Sequence, residues 1–343
     1  MSLSFKEFLN DQFAKLEITP VNLNGKTIVV TGSNVGYGTV RHLVEMGPSR
    51  IILACRNMSK AEEAIRSIKA STNTNDVIIE AQELNLASFA SCRAFAKRYQ
   101  ESGLPLHILI NNAGIGWLSK FTLSEDGHEA VFATNHLGTV LLTLLLLPII
   151  RTTASQNAST YPRIVIVASE VHHWTQFPER DTPSIVKTMD DATNTASLKN
   201  RYHVSKLMNV LFARSLARHL HESSHPEDRK ISVSVINPGL VSSEFASKSD
   251  QSLLQRIRST VVFGIMGAVV ARNITEGSKT TVYAAVAPEC GIENGAQNGQ
   301  YYSSCCPAKV NPIVEGEDGD ILAERLWKET IETIEIRKHE FDI

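Results

Sequence analysis

Short, nearly continuous apolar runs alternate along this chain with longer stretches whose apolar positions recur every three or four residues. The runs Thr27–Thr31, Ile51–Ala54, Val77–Glu80, Ile108–Ile110, Ile164–Ala168 and Ile231–Ile236 are short and rich in β-branched residues, so they predict strands. Strands that are apolar on both faces belong to a parallel sheet covered on both sides. Between them, Ala61–Ala70, Ser88–Glu101, Gly127–Ile150 and Tyr202–Leu220 carry helical spacing. The alternation is repeated βαβ and predicts an α/β fold, a doubly wound parallel sheet with helices on both faces. No repeat, low-complexity tract or Pro/Gly/Ser-rich linker divides the chain, although polar Thr175–Asn200 reads as a long excursion. A single domain is expected over 25–343, with an amphipathic extension at 1–24 and substrate-pocket segments around 171–200 and 240–275.

In the extension, Phe5, Phe8, Leu9, Phe13 and Leu16 fall on one side of a helix. Packing against the domain is the first reading. Membrane-surface contact is the second, weakened by the few basic residues there. The longest apolar run, Leu137–Ile150, falls short of the roughly 20 residues a membrane-spanning helix needs, and Pro148 is expected to close it. A buried helix is therefore expected there. A second run, Thr260–Ala271, is shorter, carries two glycines, and suits the wall of an apolar pocket or a membrane-surface contact. The opening residues MSLSFKEFLNDQ offer neither the basic nor the apolar region of a secretory signal.

Composition narrows the function classes. At 343 residues, 43% hydrophobic and 20% charged, the chain is not collagenous, disordered or fibrous. With 34 Lys+Arg against 36 Asp+Glu the formal charge is -2, which gives no attraction for nucleic acid or an anionic membrane. A small neutral ligand is the expectation. Five cysteines, an odd number without a CxxC pair, fit a reducing compartment. A cytoplasmic location follows, with peripheral membrane association left open.

Directly after the first strand comes Thr31-Gly32-Ser33-Asn34-Val35-Gly36-Tyr37-Gly38, at the mouth of a helix. Glycines there let the backbone approach a pyrophosphate while helix-terminal N–H groups face its charge, which makes the fold Rossmann-type. The second strand ends in Leu53-Ala54-Cys55-Arg56-Asn57, without the acidic residue that an NAD site offers to the ribose 2'-hydroxyl. Arg56 presents a charged fork for a 2'-phosphate, and Ser33 adds a hydroxyl, so NADP(H) is the expected cofactor. A solvated surface Arg is the bland alternative.

Tyr202 and Lys206 stand at i and i+4 on one helix face. Ser169 ends one strand, Asn111-Asn112-Ala113-Gly114 follows another, and Pro238-Gly239 follows a third, at the carboxyl edge where parallel sheets place their sites. In that order TGxxxGxG, NNAG, Asn135 on the long helix, the strand-end Ser, YxxxK and PG resemble the short-chain dehydrogenase/reductase family, over roughly Gly25 to Glu244. LACRN, ILINNAG, NHLGT, VASEVH and YHVSKLMNVLFA look closest to its retinol dehydrogenase-like and protochlorophyllide reductase-like branch.

The resemblance implies that Tyr202 exchanges a proton with a carbonyl or alcohol oxygen, which asks for a phenol pKa below its usual value of about 10. It implies that Lys206 favours the phenolate and holds ribose hydroxyls, that Ser169 orients the reacting oxygen, and that Asn135 holds a water linking Lys206 to solvent. Asn112, Ala113 and Gly114 would lie beneath the adenosine side, and Pro238 and Gly239 would flank the nicotinamide. Asn85 stands where the family has Asp near the adenine and keeps an acceptor. His172 and His173 lack the carboxylate or Cys pattern of a metal site, so no metal is expected, and Trp174 and Phe177 read as pocket wall.

One departure stands out. Two residues fewer than the family pattern separate Gly38 from Arg41-His42-Leu43, enough to turn the helix by about 200°. Either the loop absorbs the change or cofactor binding is impaired. The expected function is NADP(H)-dependent interconversion of a ketone or aldehyde and an alcohol on an apolar small molecule (retinoid-, steroid- or terpenoid-like), as in secondary metabolism. A nucleotide-binding regulatory protein of the same fold is the alternative. Apolar helices Gly127–Ile150 and Tyr202–Leu220 leave a homodimer open.

Overall fold

The computed structural model describes residues 5–32, 34–72, 76–118, 120–241 and 271–343, with the backbone alone described at 5–7, 34–35 and 195–199. The strands are β1 Thr27–Thr31, β2 Arg50–Cys55, β3 Ile78–Glu83, β4 Ile108–Asn111, β5 Arg163–Val167, β6 Ser232–Asn237, β7 Gln300–Ser303 and β8 Cys306–Pro307. They form one sheet in the order β3-β2-β1-β4-β5-β6-β7-β8. All neighbours are parallel except β7 and β8. The six predicted strands are all present, five of them within one residue of their expected ends, while β3 runs three residues beyond its expected end at Glu80.

Alternate residues of the central strands feed two cores. Val29, Leu109, Ile164, Ile166 and Val235 pack with helices Phe89–Glu101, Ala130–Ser155 and Thr195–Glu222 on one face. Ile28, Val30, Ile108, Ile110 and Val165 pack with helices Asn34–Val44, Met58–Ser71 and Ile274–Val286 on the other. Both faces of the sheet are dry, which is why the strands read as unbroken apolar runs.

Several expectations need correction. The helix Ala130–Ser155 runs through Pro148 rather than closing there. Ile150, Thr153 and Ala154 beyond the proline are buried, and that packing offsets the missing ring N–H. At 26 residues this helix is long and apolar enough to cross a membrane by length and composition, but 72% of its most apolar window is buried inside the fold. Thr260–Ala271 lies outside the described residues except for Ala271, as does most of the expected 240–275 pocket segment. In the N-terminal extension the helix covers only Phe5–Gln12, with Phe8 on it buried; past its end Phe13 is 63% exposed, whereas Leu16 is buried. Phe177 is no pocket wall: it is fully buried in the core.

The shortened glycine segment is absorbed at the start of its helix, which begins at Asn34, two residues after Gly32. Val40, Leu43 and Val44 are buried, so the apolar stripe faces the sheet. Gly38 seats this helix against Ile274–Val286: a Cβ there would lie 2.7 Å from the Ile274 carbonyl oxygen and 2.8 Å from Ser278 Oγ.

Gly138 sets an equally close approach. A Cβ at this position would sit 2.0 Å from the Leu86 carbonyl oxygen, and backbone cannot swing aside as a side chain can. Gly138→Ala is expected to cost about 3 kcal/mol by overpacking. The melting temperature should fall by roughly 5–10 °C in a thermal scan. An unchanged melting temperature would contradict this seating of the long helix.

Candidate active site

The strand order reverses between β1 and β4, and the loops leaving these two strands are stitched together. The Thr31 hydroxyl accepts from the backbone N–H groups of Asn112 (3.0 Å) and Ala113 (2.9 Å), while Asn112 Nδ2 donates to the Thr31 carbonyl at 2.8 Å. Gly32 has φ +80°, and a Cβ on it would lie 2.9 Å from Ala113 Cα. A Cβ on Gly36 would lie 3.1 Å from Asn112 Nδ2. The result is a floor of bare backbone beside the N-terminus of an 11-residue helix. That arrangement fits a dinucleotide pyrophosphate.

Ser33 lies outside the described residues, as do the side chains of Asn34 and Val35. Arg56 is exposed just past β2, on the residue before Asn57, which caps the helix Met58–Ser71 by accepting from the Lys60 N–H. Asn85, past β3, accepts from the Ala87 N–H through Oδ1, and its own N–H donates to Ser91 Oγ.

Further along the same edge, Tyr202 and Lys206 project from the helix Thr195–Glu222 and are both buried. Lys206 Nζ donates to the Val167 carbonyl, at the end of β5, at 2.8 Å. It lies 5.9 Å from the Tyr202 ring centre. Ser169, two residues past β5, shares a hydrogen bond with the Tyr202 hydroxyl. Asn135 sits in a five-residue π-turn, Ala133–Leu137, inside the long helix. Its Oδ1 accepts from the Ile115 N–H at 2.8 Å, and Nδ2 donates to the Ile115 carbonyl and to Ser205 Oγ. Asn135 thus braces both the loop after Gly114 and the Tyr202 helix.

Pro238-Gly239 is held from the N-terminus. Gln12 Nε2 donates to the Leu240 carbonyl (2.8 Å) and Gln12 Oε1 accepts from the Leu240 N–H (2.9 Å). Arg272 donates to the Pro238 carbonyl at 3.3 Å, to the Ser304 hydroxyl at 3.0 Å, and to the carbonyls of Asp11 and Gln12. Sequence reading missed Asp11, Gln12, Arg272 and the Thr31 hydroxyl. Only Thr31 had a signal, its place at the head of the glycine motif.

Burial dominates the electrostatics. It lowers the Lys206 ammonium to a pKa of about 8. It pushes the Tyr202 phenol well above its ordinary value, with the Ser169 hydrogen bond opposing and Glu170 adding to the rise. The expectation of a lowered phenol pKa is therefore corrected: in a dry site the neutral phenol is favoured. Glu170, next to Ser169, is pushed up to about 7 by burial and then by the Asp11 charge, against Arg272 and a hydrogen bond from Asn237.

His172 is a structural brace. Its Nδ1–H donates to the Ser169 carbonyl at 2.6 Å and Nε2 accepts from the Asn311 N–H at 3.2 Å. Burial drives its pKa down to about 3, so the ring is neutral. Among the described residues, no group of three or more His, Cys, Asp or Glu could hold a metal ion.

A short chain dehydrogenase family model matches residues 26–178. The short chain dehydrogenase/reductase dmxR8 of Cryptosporiopsis sp. is 34% identical over 337 residues, covering 96% of this chain and 97% of the relative. The chain belongs to the short-chain dehydrogenase/reductase family. Retinol dehydrogenase 12 of Homo sapiens is 34% identical over 322 residues, covering 93% of this chain and 89% of its own, which agrees with the retinol dehydrogenase-like branch. Among solved structures, L-sorbose reductase from Gluconobacter frateurii, complexed with NADPH and L-sorbose, superposes with a TM-score of 0.57 at 20% identity. It covers 83% of this chain and 96% of its own, a likeness of fold. Membership makes this short-chain dehydrogenase/reductase a nucleotide-binding oxidoreductase of alcohol and carbonyl groups.

Proposed function

We propose that this member of the family uses NADP(H) to interconvert a ketone or aldehyde and an alcohol on an apolar small molecule. The observation that carries the reading is the meeting of Tyr202, Ser169 and buried Lys206 at the sheet edge next to the β1/β4 crossing. Gly32, Asn34, Val35 and Gly36 would hold the pyrophosphate, Ser33 would add a hydroxyl at a 2'-phosphate, Asn85, Asn112, Ala113 and Gly114 would hold the adenosine side, and Pro238 and Gly239 the nicotinamide side, while Gly38 serves the helix contact with Ile274–Val286 instead of the cofactor. Exposed Arg56 would pair with a 2'-phosphate. When bound, the cofactor supplies or accepts the hydride at the reacting carbon.

The chain's own groups handle the proton. In reduction, the Tyr202 phenol, kept protonated by burial, gives its proton to the carbonyl oxygen while Ser169 hydrogen-bonds the same oxygen. In oxidation the proton moves the other way. Below about pH 8 the Lys206 ammonium supplies positive potential beside the phenol and favours loss of its proton. Asn135 keeps the Ile115 loop and Ser205 in register around that pair. The branch that includes a retinol dehydrogenase supports an apolar substrate.

NADPH consumption on a panel of ketones and aldehydes tests the reading. Tyr202→Phe should lower turnover by at least about 100-fold while NADPH affinity in a calorimetric titration stays within roughly threefold. Near-normal turnover would contradict the acid/base role. The unmodified protein should bind NADPH about tenfold or more tighter than NADH, the worth of one charged hydrogen bond, and Arg56→Ala should erase most of that difference. Equal affinity for the two cofactors in the unmodified protein would reject the NADP(H) assignment.

A further inference from the structure

We infer that Trp117 and Trp174 form an aromatic clamp that selects a planar aromatic ring carried in the same fused skeleton as the reacting carbonyl. The inference rests on the oxidoreductase reading above and narrows its substrate class.

The sequence holds three tryptophans. Trp327 stacks on Phe212 and His219, at ring separations of 5.8 and 4.3 Å, as part of the packing between two helices. The other two are 51% and 52% exposed, although they arise from different loops on the same sheet edge. Trp117 follows the Asn112-Ala113-Gly114 loop after β4. Trp174 ends the 3-10 turn Glu170–Trp174 that begins just past Ser169. Trp117 touches the candidate proton donor, and Trp174 touches its neighbour His203. Trp117 meets the Tyr202 ring edge-on at 6.1 Å and 69°. Trp174 meets the His203 ring at 5.7 Å and 90°, and His203 lies 6.3 Å from Tyr202.

Four rings, Trp117, Tyr202, His203 and Trp174, therefore make a row with the phenol inside it. Beneath the row, Val131 and Val171 pack against Tyr202, joined by Ile115 and Leu118. Burial lowers the His203 pKa, so this imidazole is neutral at neutral pH and the row carries no charge. Two large indoles, each about half exposed at one end of a row of rings that contains the phenol, mark a binding surface rather than ordinary scatter. Ring quadrupoles favour edge-to-face and offset arrangements, the geometry the row already has. A flat aromatic ring entering beside Tyr202 extends that pattern, whereas a saturated skeleton gains burial alone.

The ketones 2-tetralone and trans-2-decalone separate these cases, because they share a carbon skeleton and an unconjugated carbonyl and differ in whether the second ring is aromatic. The unmodified protein should show kcat/KM for 2-tetralone about tenfold above that for trans-2-decalone. Trp117→Leu and Trp174→Leu should each lower this ratio roughly two- to tenfold, with Trp117→Phe and Trp174→Phe restoring most of it. A ratio near one, or a ratio that neither Leu substitution moves, overturns the clamp and leaves the oxidoreductase reading standing. Binding is read independently by calorimetry on the NADPH-loaded Tyr202→Phe protein. If no ketone or aldehyde drives NADPH oxidation in the unmodified protein, the oxidoreductase reading fails, and this titration still decides the clamp. Tighter binding of 2-tetralone supports it, and equal binding of the two ketones rejects it.

Discussion

A positive charge enclosed in the protein, the Lys206 ammonium, ties the Tyr202 helix to the strand that carries Ser169. Its hydrogen bond goes to Val167, the last residue of β5, two residues before Ser169. Enclosing an ammonium is costly, and the drop of its pKa to about 8 is the mark of that cost. Packing offsets it. Val204, Leu207, Met208, Val210 and Leu211 on the same helix are fully buried in the core shared by the sheet and its neighbouring helices. A slip of one residue would rotate the helix by about 100° and carry both Lys206 and Tyr202 away from the edge.

The other parts of the site are fixed by similarly local contacts. Thr31 bonds the loops after β1 and β4 to each other, which leaves bare backbone where a pyrophosphate would lie. The π-turn aims Asn135 at Ile115 and Ser205, joining the β4 loop to the Tyr202 helix. Gln12 and Arg272 hold the segment after β6 from the opposite side. Tyr202 and Ser169 therefore meet on supports drawn from five different parts of the chain. Around the buried phenol, the half-exposed indoles Trp117 and Trp174 stand at the two ends of its row of rings.

Much of this was legible in the sequence because central parallel strands are buried on both faces and so announce themselves as β-branched runs. The glycine motif, Ser169 and the Tyr202/Lys206 pair were legible as strand-end and i, i+4 positions. Other parts left no such trace. The helix Ile274–Val286 buries the small or polar residues Gly277, Ser278, Thr280 and Thr281, with Ser278 close to Gly38 and Gly277 close to Val241, so it lacks the large apolar stripe that signals a helix. β7 and β8 are four and two residues long. Pro148 read as a stop because local propensity carries no record of the packing beyond it. The phenol pKa was misjudged because the depth of burial is a tertiary property. The same holds for the row of rings that links Trp117 to Trp174 through Tyr202 and His203, since the two indoles stand far apart in sequence.

The most direct test of the central claim is a proton titration of Lys206 in the folded protein, read by NMR on side-chain nitrogen with Lys206→Met as the assignment control. An enclosed ammonium bonded to Val167 predicts a midpoint near 8. As pH rises through that value the charge is lost and the hydrogen bond weakens. A midpoint at the ordinary lysine value of 10.5 would mean that the ammonium reaches solvent, and would contradict the account of how the Tyr202 helix is held.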